Sequence, residues 1–209
     1  MLKLVLPKGS LEKATLQLFE EADLTVRRSS DVDYRATIDD PRIADVRILR
    51  PQEIPMYVAD GLFDVGIAGR DWIEETSSDV VPLGELKYSK VTAEPVKIVV
   101  AVPADSEYES IADLPQGVRV SSEYPELTNR HFAAAGIEAE VMLSYGATEA
   151  KAPEIVDAVV DLLPGENTVE VVVMNIKGSM GKIDHMPDDL PKDVTYIGMR
   201  ELIIMEMVR

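Results

Sequence analysis

Two cations in the first fifty residues each stand directly after an apolar run. Lys8-Gly9-Ser10 follows the run at residues 2–6, and Arg50 follows the run at residues 46–49, just ahead of Pro51. At such a place a lysine charge, a glycine that lets the backbone approach closely and the free N–H groups of a starting helix can converge on one anion. An arginine there can make paired hydrogen bonds to a phosphate or carboxylate. Each has an ordinary alternative: a surface lysine beside a turn glycine, and an exposed ion pair between Arg50 and Glu53. A third candidate is acidic. Glu149 precedes Asp157 and Asp161, which stand four apart in Ile155-Val156-Asp157-Ala158-Val159-Val160-Asp161. A helix or a strand would put both carboxylates on one face. If buried they need partners, because an unpaired buried carboxylate is costly; ribose hydroxyls or a metal-bound water would serve. Two solvated acids on an amphipathic segment is the other reading.

Charge decides which ligands these groups can take. The 209 residues carry 21 Lys and Arg against 38 Asp and Glu, a formal net charge of −17. A surface this acidic repels a nucleic-acid backbone and anionic lipid, which leaves small molecules or proteins as partners. Residues 1–100 hold 13 basic and 18 acidic groups, whereas residues 101–161 hold 3 and 12. A polyanionic ligand must then draw its cations from the first half, with carboxylates, hydroxyls and backbone N–H groups coming from the middle. That division suits a nucleotide-type ligand with a divalent cation. The lack of cysteine excludes disulfides, thiolate nucleophiles and Cys-ligated metal. His131 and His185 lie far apart with no ligand pattern around either, so no histidine zinc site is expected. A nucleophile elbow, a P-loop and a Gly-rich dinucleotide fingerprint are also missing, and Trp72 and Phe63 read as core. The first apolar run is too short for a signal segment, and no stretch approaches the roughly 20 residues that span a bilayer, so a soluble, cytoplasmic protein is expected.

The elements that must position these groups follow from periodicity. Strands are expected at residues 2–6, 46–49, 63–68, 96–102, 118–121 and 141–143. Helices are expected after Ser10, which would serve as N-cap, from Glu53 toward Gly61, through Trp72 and Ile73, and from Pro125 to Gly136. Strands alternating with helices through short loops indicate an α/β protein with mostly parallel sheets, in which ligands sit beyond the carboxyl ends of the strands. Residues 88–95 read as a crossover between two lobes. In the last stretch residues 168–176 read as a strand, 177–193 as a loop and 194–197 as a further strand, while residues 200–208 fit a helix or a strand.

Five ordered motifs carry a resemblance: Leu6-Pro7-Lys8-Gly9-Ser10-Leu11, Arg50-Pro51-Gln52-Glu53-Ile54-Pro55, Phe63-Asp64-Val65-Gly66-Ile67-Ala68-Gly69-Arg70-Asp71, Glu123-Tyr124-Pro125-Glu126-Leu127-Thr128, and the stretch from Gly146 to Asp161. In that order they resemble the catalytic subunit of ATP phosphoribosyltransferase, over about residues 1–161. The length resembles the short form, which works with a regulatory subunit similar to histidyl-tRNA synthetase. The resemblance implies two α/β lobes like those of type II periplasmic binding proteins around a central cleft, with lobe I from residues 1–90 plus about 177–209 and lobe II from 91–176. It implies the first step of histidine biosynthesis, in which N1 of ATP's adenine displaces pyrophosphate from phosphoribosyl pyrophosphate with Mg²⁺, and it implies a homodimer. Lys8, Gly9, Arg50, Gly69 and Asp71 would face nucleotide and pyrophosphate. Glu149, Asp157 and Asp161 would face the ribose, the two aspartates holding the metal through water or ribose hydroxyls. No general base is implied, because an oxocarbenium-like displacement depends on positioning and charge stabilisation.

Two positions depart from the pattern. Ser10 stands where many members have Arg. The family's Thr-Gly-x-Thr/Ser-Leu loop for the 5′-phosphate is replaced by Leu162-Leu163-Pro164-Gly165-Glu166-Asn167-Thr168-Val169, in which only Thr168 aligns and Glu166 stands at the phosphate position. That departure sustains a second expectation, a nucleotide- or anion-binding protein on the same scaffold with impaired or no catalysis.

Overall fold

The computed structural model describes residues 1–86, 98–104, 106–162, 171–176 and 207–208, the last two stretches as backbone. The elements in chain order are β1 (Leu2–Pro7), α1 (Glu12–Glu21), β2 (Val26–Arg27), β3 (Arg35–Ile38), β4 (Ile43–Leu49), α2 (Ile54–Ala59), β5 (Val65–Gly69), α3 (Arg70–Thr76), β6 (Val80–Leu86), β7 (Ile98–Ala101), β8 (Val118–Ser122), α4 (Pro125–Ala134), β9 (Ala139–Leu143), β10 (Ala158–Leu162), β11 (Val171–Ile176) and β12 (Met207–Val208). The expected crossover at residues 88–95, the loop at 163–168 with Glu166 and Thr168, and the expectations for residues 177–206 lie outside the described residues.

The described chain forms two compact units. The first comprises residues 1–67, 79–84 and 173–176; the second comprises 68–78, 85–86, 98–104, 106–162, 171–172 and 207–208. In the first, the sheet order is β2-β3-β4-β1-β5-β11-β6. β1 runs parallel to both β4 and β5, and Val5 and Leu6, on its opposite faces, are both buried. Burial on both faces is why this strand reads as a continuous apolar run rather than an alternation. Helix α2 begins with Pro55 in its first turn, a position that needs no N–H. It lies so close to β5 that a Cβ on Gly66 would stand 2.8 Å from methyl groups of both Ile54 and Val58.

In the second unit the order is β12-β7-β10-β8-β9, with β8 parallel to β9 and β10, and β7 antiparallel to β10. Its core joins Ile98, Val100, Val118, Val120, Leu127, Phe132 and Val160, with Trp72 packed against it. Of residues 155–161, which fitted helix or strand, 158–161 lie in strand β10 and 155–157 precede it.

The fold is α/β, as expected, and its strands pair mostly in parallel, with antiparallel strands that make both sheets mixed. Strands β2 and β3 add to one edge in antiparallel fashion. Both are short and carry charged residues, the usual guise of an edge strand, so periodicity does not reveal them. Strand β6 ends the other edge and contains Pro82, tolerated there because an edge strand leaves one row of N–H groups unpaired. Ser10 is not the N-cap of α1: Leu11 occupies that position without a side-chain bond. The Glu12 carboxylate accepts the Gly9 N–H at 3.4 Å and pairs with Arg28 at 2.6 Å. A charged acceptor within the first turn has replaced the hydroxyl cap.

Candidate functional site

In the first unit the candidate residues gather at the carboxyl ends of adjacent parallel strands. Pro7 of β1 is in register with Leu49 of β4, so Lys8 and Arg50 leave the sheet side by side, and the Lys8 N–H donates to the Leu49 carbonyl at 2.7 Å. The Lys8 ammonium stands 4.3 Å from the centre of the Tyr34 ring, a cation–π contact that steadies the charge without neutralising it. Gly9 has φ +88, and a Cβ there would meet nothing within 4 Å. Its requirement is therefore the left-handed backbone, which leaves the loop's surface open to a ligand. Arg50 is exposed and makes no ion pair with Glu53; the Glu53 N–H donates to the Arg50 carbonyl instead.

In the second unit a polar cluster collects at the carboxyl ends of β8, β9 and β10. The register pairs Val159 with Ser121, and paired residues of parallel strands share a face, so Asp161 lies on the face of Ser121. The Lys151 ammonium donates to the Ser144 hydroxyl at 2.5 Å and to Ser121 at 3.3 Å, and Ser144 also bonds Thr148 at 2.7 Å. Glu123, just beyond β8, is held above the ordinary range by burial and then by the charge of Asp161, with Lys151 opposing. Two carboxylates, one ammonium and a chain of hydroxyls thus occupy one end of the sheet. On the other face, Ser122 accepts hydrogen bonds from the Tyr124 N–H and the Thr128 hydroxyl, both at 2.9 Å, and so fixes the start of α4.

Helix α3 supplies two acids to the same unit, Asp71 half-buried and Glu75 buried. Tyr124 donates its phenol to Asp71 at 2.8 Å and stacks on Trp72 with ring centres 4.6 Å apart. Burial raises the Asp71 pKa, against the lowering effect of the Tyr124 bond. The phenol is pushed upward by its own burial and by the Asp71 charge, so it stays a neutral donor. Glu75 is buried, and its two oxygens accept the N–H groups of Glu126 and Leu127 at 3.0 and 2.9 Å. These are free N–H groups at the start of α4, where a negative charge is favoured. The chain's own carboxylate fills this helix end, which is thereby closed to a ligand anion.

The candidate residues thus do not form a single group. Lys8, Gly9 and Arg50 come together in the first unit. Gly69 caps α3 and Asp71 lies in its first turn, while Glu149 is exposed on the short 3-10 turn that also carries Lys151. Asp157 and Asp161 lie at opposite ends of β10. Asp157 precedes β10 at its amino end, where Arg119 donates to it from Nη2 at 2.6 Å, Nε at 3.1 Å and the backbone N–H at 2.9 Å. It has found its partner in an ion pair, and its carboxyl is correspondingly held low. Thr168 lies outside the described residues. Sequence reasoning missed Lys151, Glu123, Tyr124 and Glu75. The middle of the chain was expected to supply no cation, yet Lys151 stands among the hydroxyls. Its signal was its place, five residues past Gly146 in the most acidic stretch. Among the described residues no group of three or more His, Asp and Glu side chains is arranged to hold a metal, and no helix is long and apolar enough to cross a membrane. Burial lowers the pKa of His131, which packs edge-on against Phe132.

An α/β protein with cationic loops after β1 and β4, and a carboxylate and hydroxyl cluster after β8 to β10, has the makings of a nucleotide- or sugar-phosphate-binding protein. The comparisons narrow this. The family model of ATP phosphoribosyltransferase (HisG) matches residues 50–180. ATP phosphoribosyltransferase of Desulforudis audaxviator is 47% identical over 163 residues, covering 77% of this chain and 55% of that protein. The protein of that name from Pelotomaculum thermopropionicum is 45% identical over the same span. A chain of the ATP phosphoribosyl transferase (HisG:HisZ) complex from Thermotoga maritima shares the fold, with a TM-score of 0.66, 20% identity, and coverage of 84% of this chain and 87% of that one. The chain belongs to the ATP phosphoribosyltransferase family. It spans about half the length of the curated relatives it matches.

Proposed function

We propose that the protein joins ATP to phosphoribosyl pyrophosphate, the reaction named for its relatives and the opening step of histidine biosynthesis. The lone pair of adenine N1 forms a bond to C1′ of the ribose, and the C1′–oxygen bond to pyrophosphate breaks, the leaving group taking the electron pair. Such a displacement calls for positioning and charge stabilisation, which is what the described residues offer. Lys8, Gly9 and Arg50 take phosphate oxygens of the nucleotide and pyrophosphate, and Gly69 and Asp71 serve the same substrates. Asp161, Glu123 and Glu149 meet the ribose side, and Thr168 belongs to the 5′-phosphate loop. Asp157 acts through the sheet, as the partner of Arg119.

Mg²⁺ fits this chain as a substrate-borne ion. Such an ion is commonly held by one or two carboxylates together with substrate phosphates rather than by an all-protein cage. Glu123 and Asp161 are neighbouring carboxylates of that kind: burial raises the Glu123 pKa and the Asp161 charge adds to it, a repulsion that a divalent cation would relieve. Mg²⁺ supplies charge neutralisation of the leaving pyrophosphate; the protein's residues orient both reactants.

The observation that carries the proposal is the cluster of Ser121, Glu123, Ser144, Lys151 and Asp161 in a member of this family. The test is pyrophosphate release from ATP, phosphoribosyl pyrophosphate and Mg²⁺, alone and with a histidyl-tRNA-synthetase-like regulatory subunit. Turnover in either mixture is expected, and none in both refutes it. A homodimer and a cytoplasmic location belong to the same proposal, the first checked by sedimentation equilibrium.

A further inference from the structure

The 3-10 turn Glu149–Lys151 brings one cation to the carboxyl ends of β8, β9 and β10. We infer that Lys151 is a substrate-binding residue specific for the phosphate-bearing ribosyl donor, held ready on the Ser144–Thr148 hydroxyl pair and Ser121. This rests on the transferase reading and deepens it. An ammonium has three N–H donors, and two are spent on Ser144 and Ser121, leaving one for a ligand. The other two cations of residues 101–161 are engaged: Arg119 grips Asp157, and Arg130 donates to the Glu74 carbonyl and the Ser77 hydroxyl. Lys151 instead is bonded to neutral oxygens, which orient the charge without cancelling it.

Its surroundings explain the ligand class. Glu123 and Asp161 suit hydroxyls or a bound cation and repel a free anion, so an anion alone has little reason to settle there. A molecule with ribose hydroxyls for the carboxylates and a phosphate for the ammonium satisfies both signs at once. ATP carries both features too, and the specificity therefore needs its own measurement.

Calorimetric titration of the full chain with phosphoribosyl pyrophosphate and Mg²⁺, and separately with ATP, tests this in the wild type, Lys151→Met and Lys151→Arg. A charge-assisted hydrogen bond is worth enough to cost roughly 10- to 100-fold in affinity when it is removed. Lys151→Met is expected to lose that much for the donor and to keep its ATP affinity within about threefold. Lys151→Arg is expected to recover most of the donor affinity, because it restores the charge. Unchanged donor binding in Lys151→Met overturns the inference. So does an equal loss for both substrates, or a loss with a lowered melting temperature that Arg does not rescue. A wild type that binds no donor overturns the transferase reading itself, and the two failures are thereby told apart.

Discussion

Replacing Glu75 tests whether the buried carboxylate holds α4 in place. Its oxygens accept the N–H groups of Glu126 and Leu127 at 3.0 and 2.9 Å, and the side chain belongs to a residue that is 8% exposed. Hydrogen bonds to a charged group contribute about 1.5–3 kcal/mol each, and losing a helix cap costs about 1 kcal/mol. The two bonds share one carboxylate, and Glu126 lies at the surface where water can replace its partner, so the losses do not add in full. Glu75→Ala is expected to cost about 3 kcal/mol, and Glu75→Gln, which keeps one acceptor oxygen, about half of that. For a chain of this size each kcal/mol lowers the melting temperature by about 2–4 °C. Urea unfolding followed by tryptophan fluorescence reads it directly, because the single tryptophan is Trp72, stacked on Tyr124 next to the cap. The reasoning fails if Glu75→Ala lies within about 0.5 kcal/mol of the wild type, or if Gln is as damaging as Ala.

Gly66→Ala would drive a methyl against Ile54, Val58 and Val5, all fully buried, and is expected to cost about 1–3 kcal/mol; an unchanged thermal midpoint would contradict the close packing. Burial raises the Asp71 pKa, so the folded chain holds a proton that the unfolded chain releases as pH climbs past the ordinary value of 3.8, and stability falls over that interval. Asp71→Asn should then be more stable than the wild type at neutral pH, lose that advantage below the ordinary aspartate range, and lose turnover; denaturation at pH 3 and pH 7 checks the sign. Arg42 holds the Asp40 carboxyl down to about 2, so its contribution is present above 3.8 and fades as pH falls toward 2. An NMR titration should find that midpoint, moved back toward 3.8 in Arg42→Ala.

Much of the scaffold was legible in the sequence because its signals are local. The run at residues 2–6, the Pro near the start of α2 and of α4, and the apolar stretches of β4, β5, β8 and β9 each announce their element in a few residues. What escaped depends on pairing between distant segments. Strands β2, β3 and β6 gain their identity from the neighbours they join at a sheet edge, and their charges and Pro82 hide them. For Asp157 and Asp161 the spacing was legible, but not that it sets them at opposite ends of one strand. Four residues along an extended strand cover roughly 13 Å, enough to put one carboxylate at each end of the sheet. Lys151 was passed over because a charge count by segment cannot show that two nearby arginines are already occupied.

The clasp between Arg119 and Asp157 reaches further than its exposed position suggests. Besides the side-chain bonds, the Asp157 N–H donates to the Arg119 carbonyl at 2.9 Å, so the two residues are tied through backbone and side chain at the amino ends of β8 and β10. That knot sets where the strands begin relative to each other, and hence which residue faces which at their far ends. A slip of one place would turn Ser121 or Asp161 to the opposite side of the sheet. An inactive Asp157 variant would therefore look like the loss of a ligand contact while reporting an alignment fault, and a double exchange, Arg119→Asp with Asp157→Arg, is the variant in which the two explanations part.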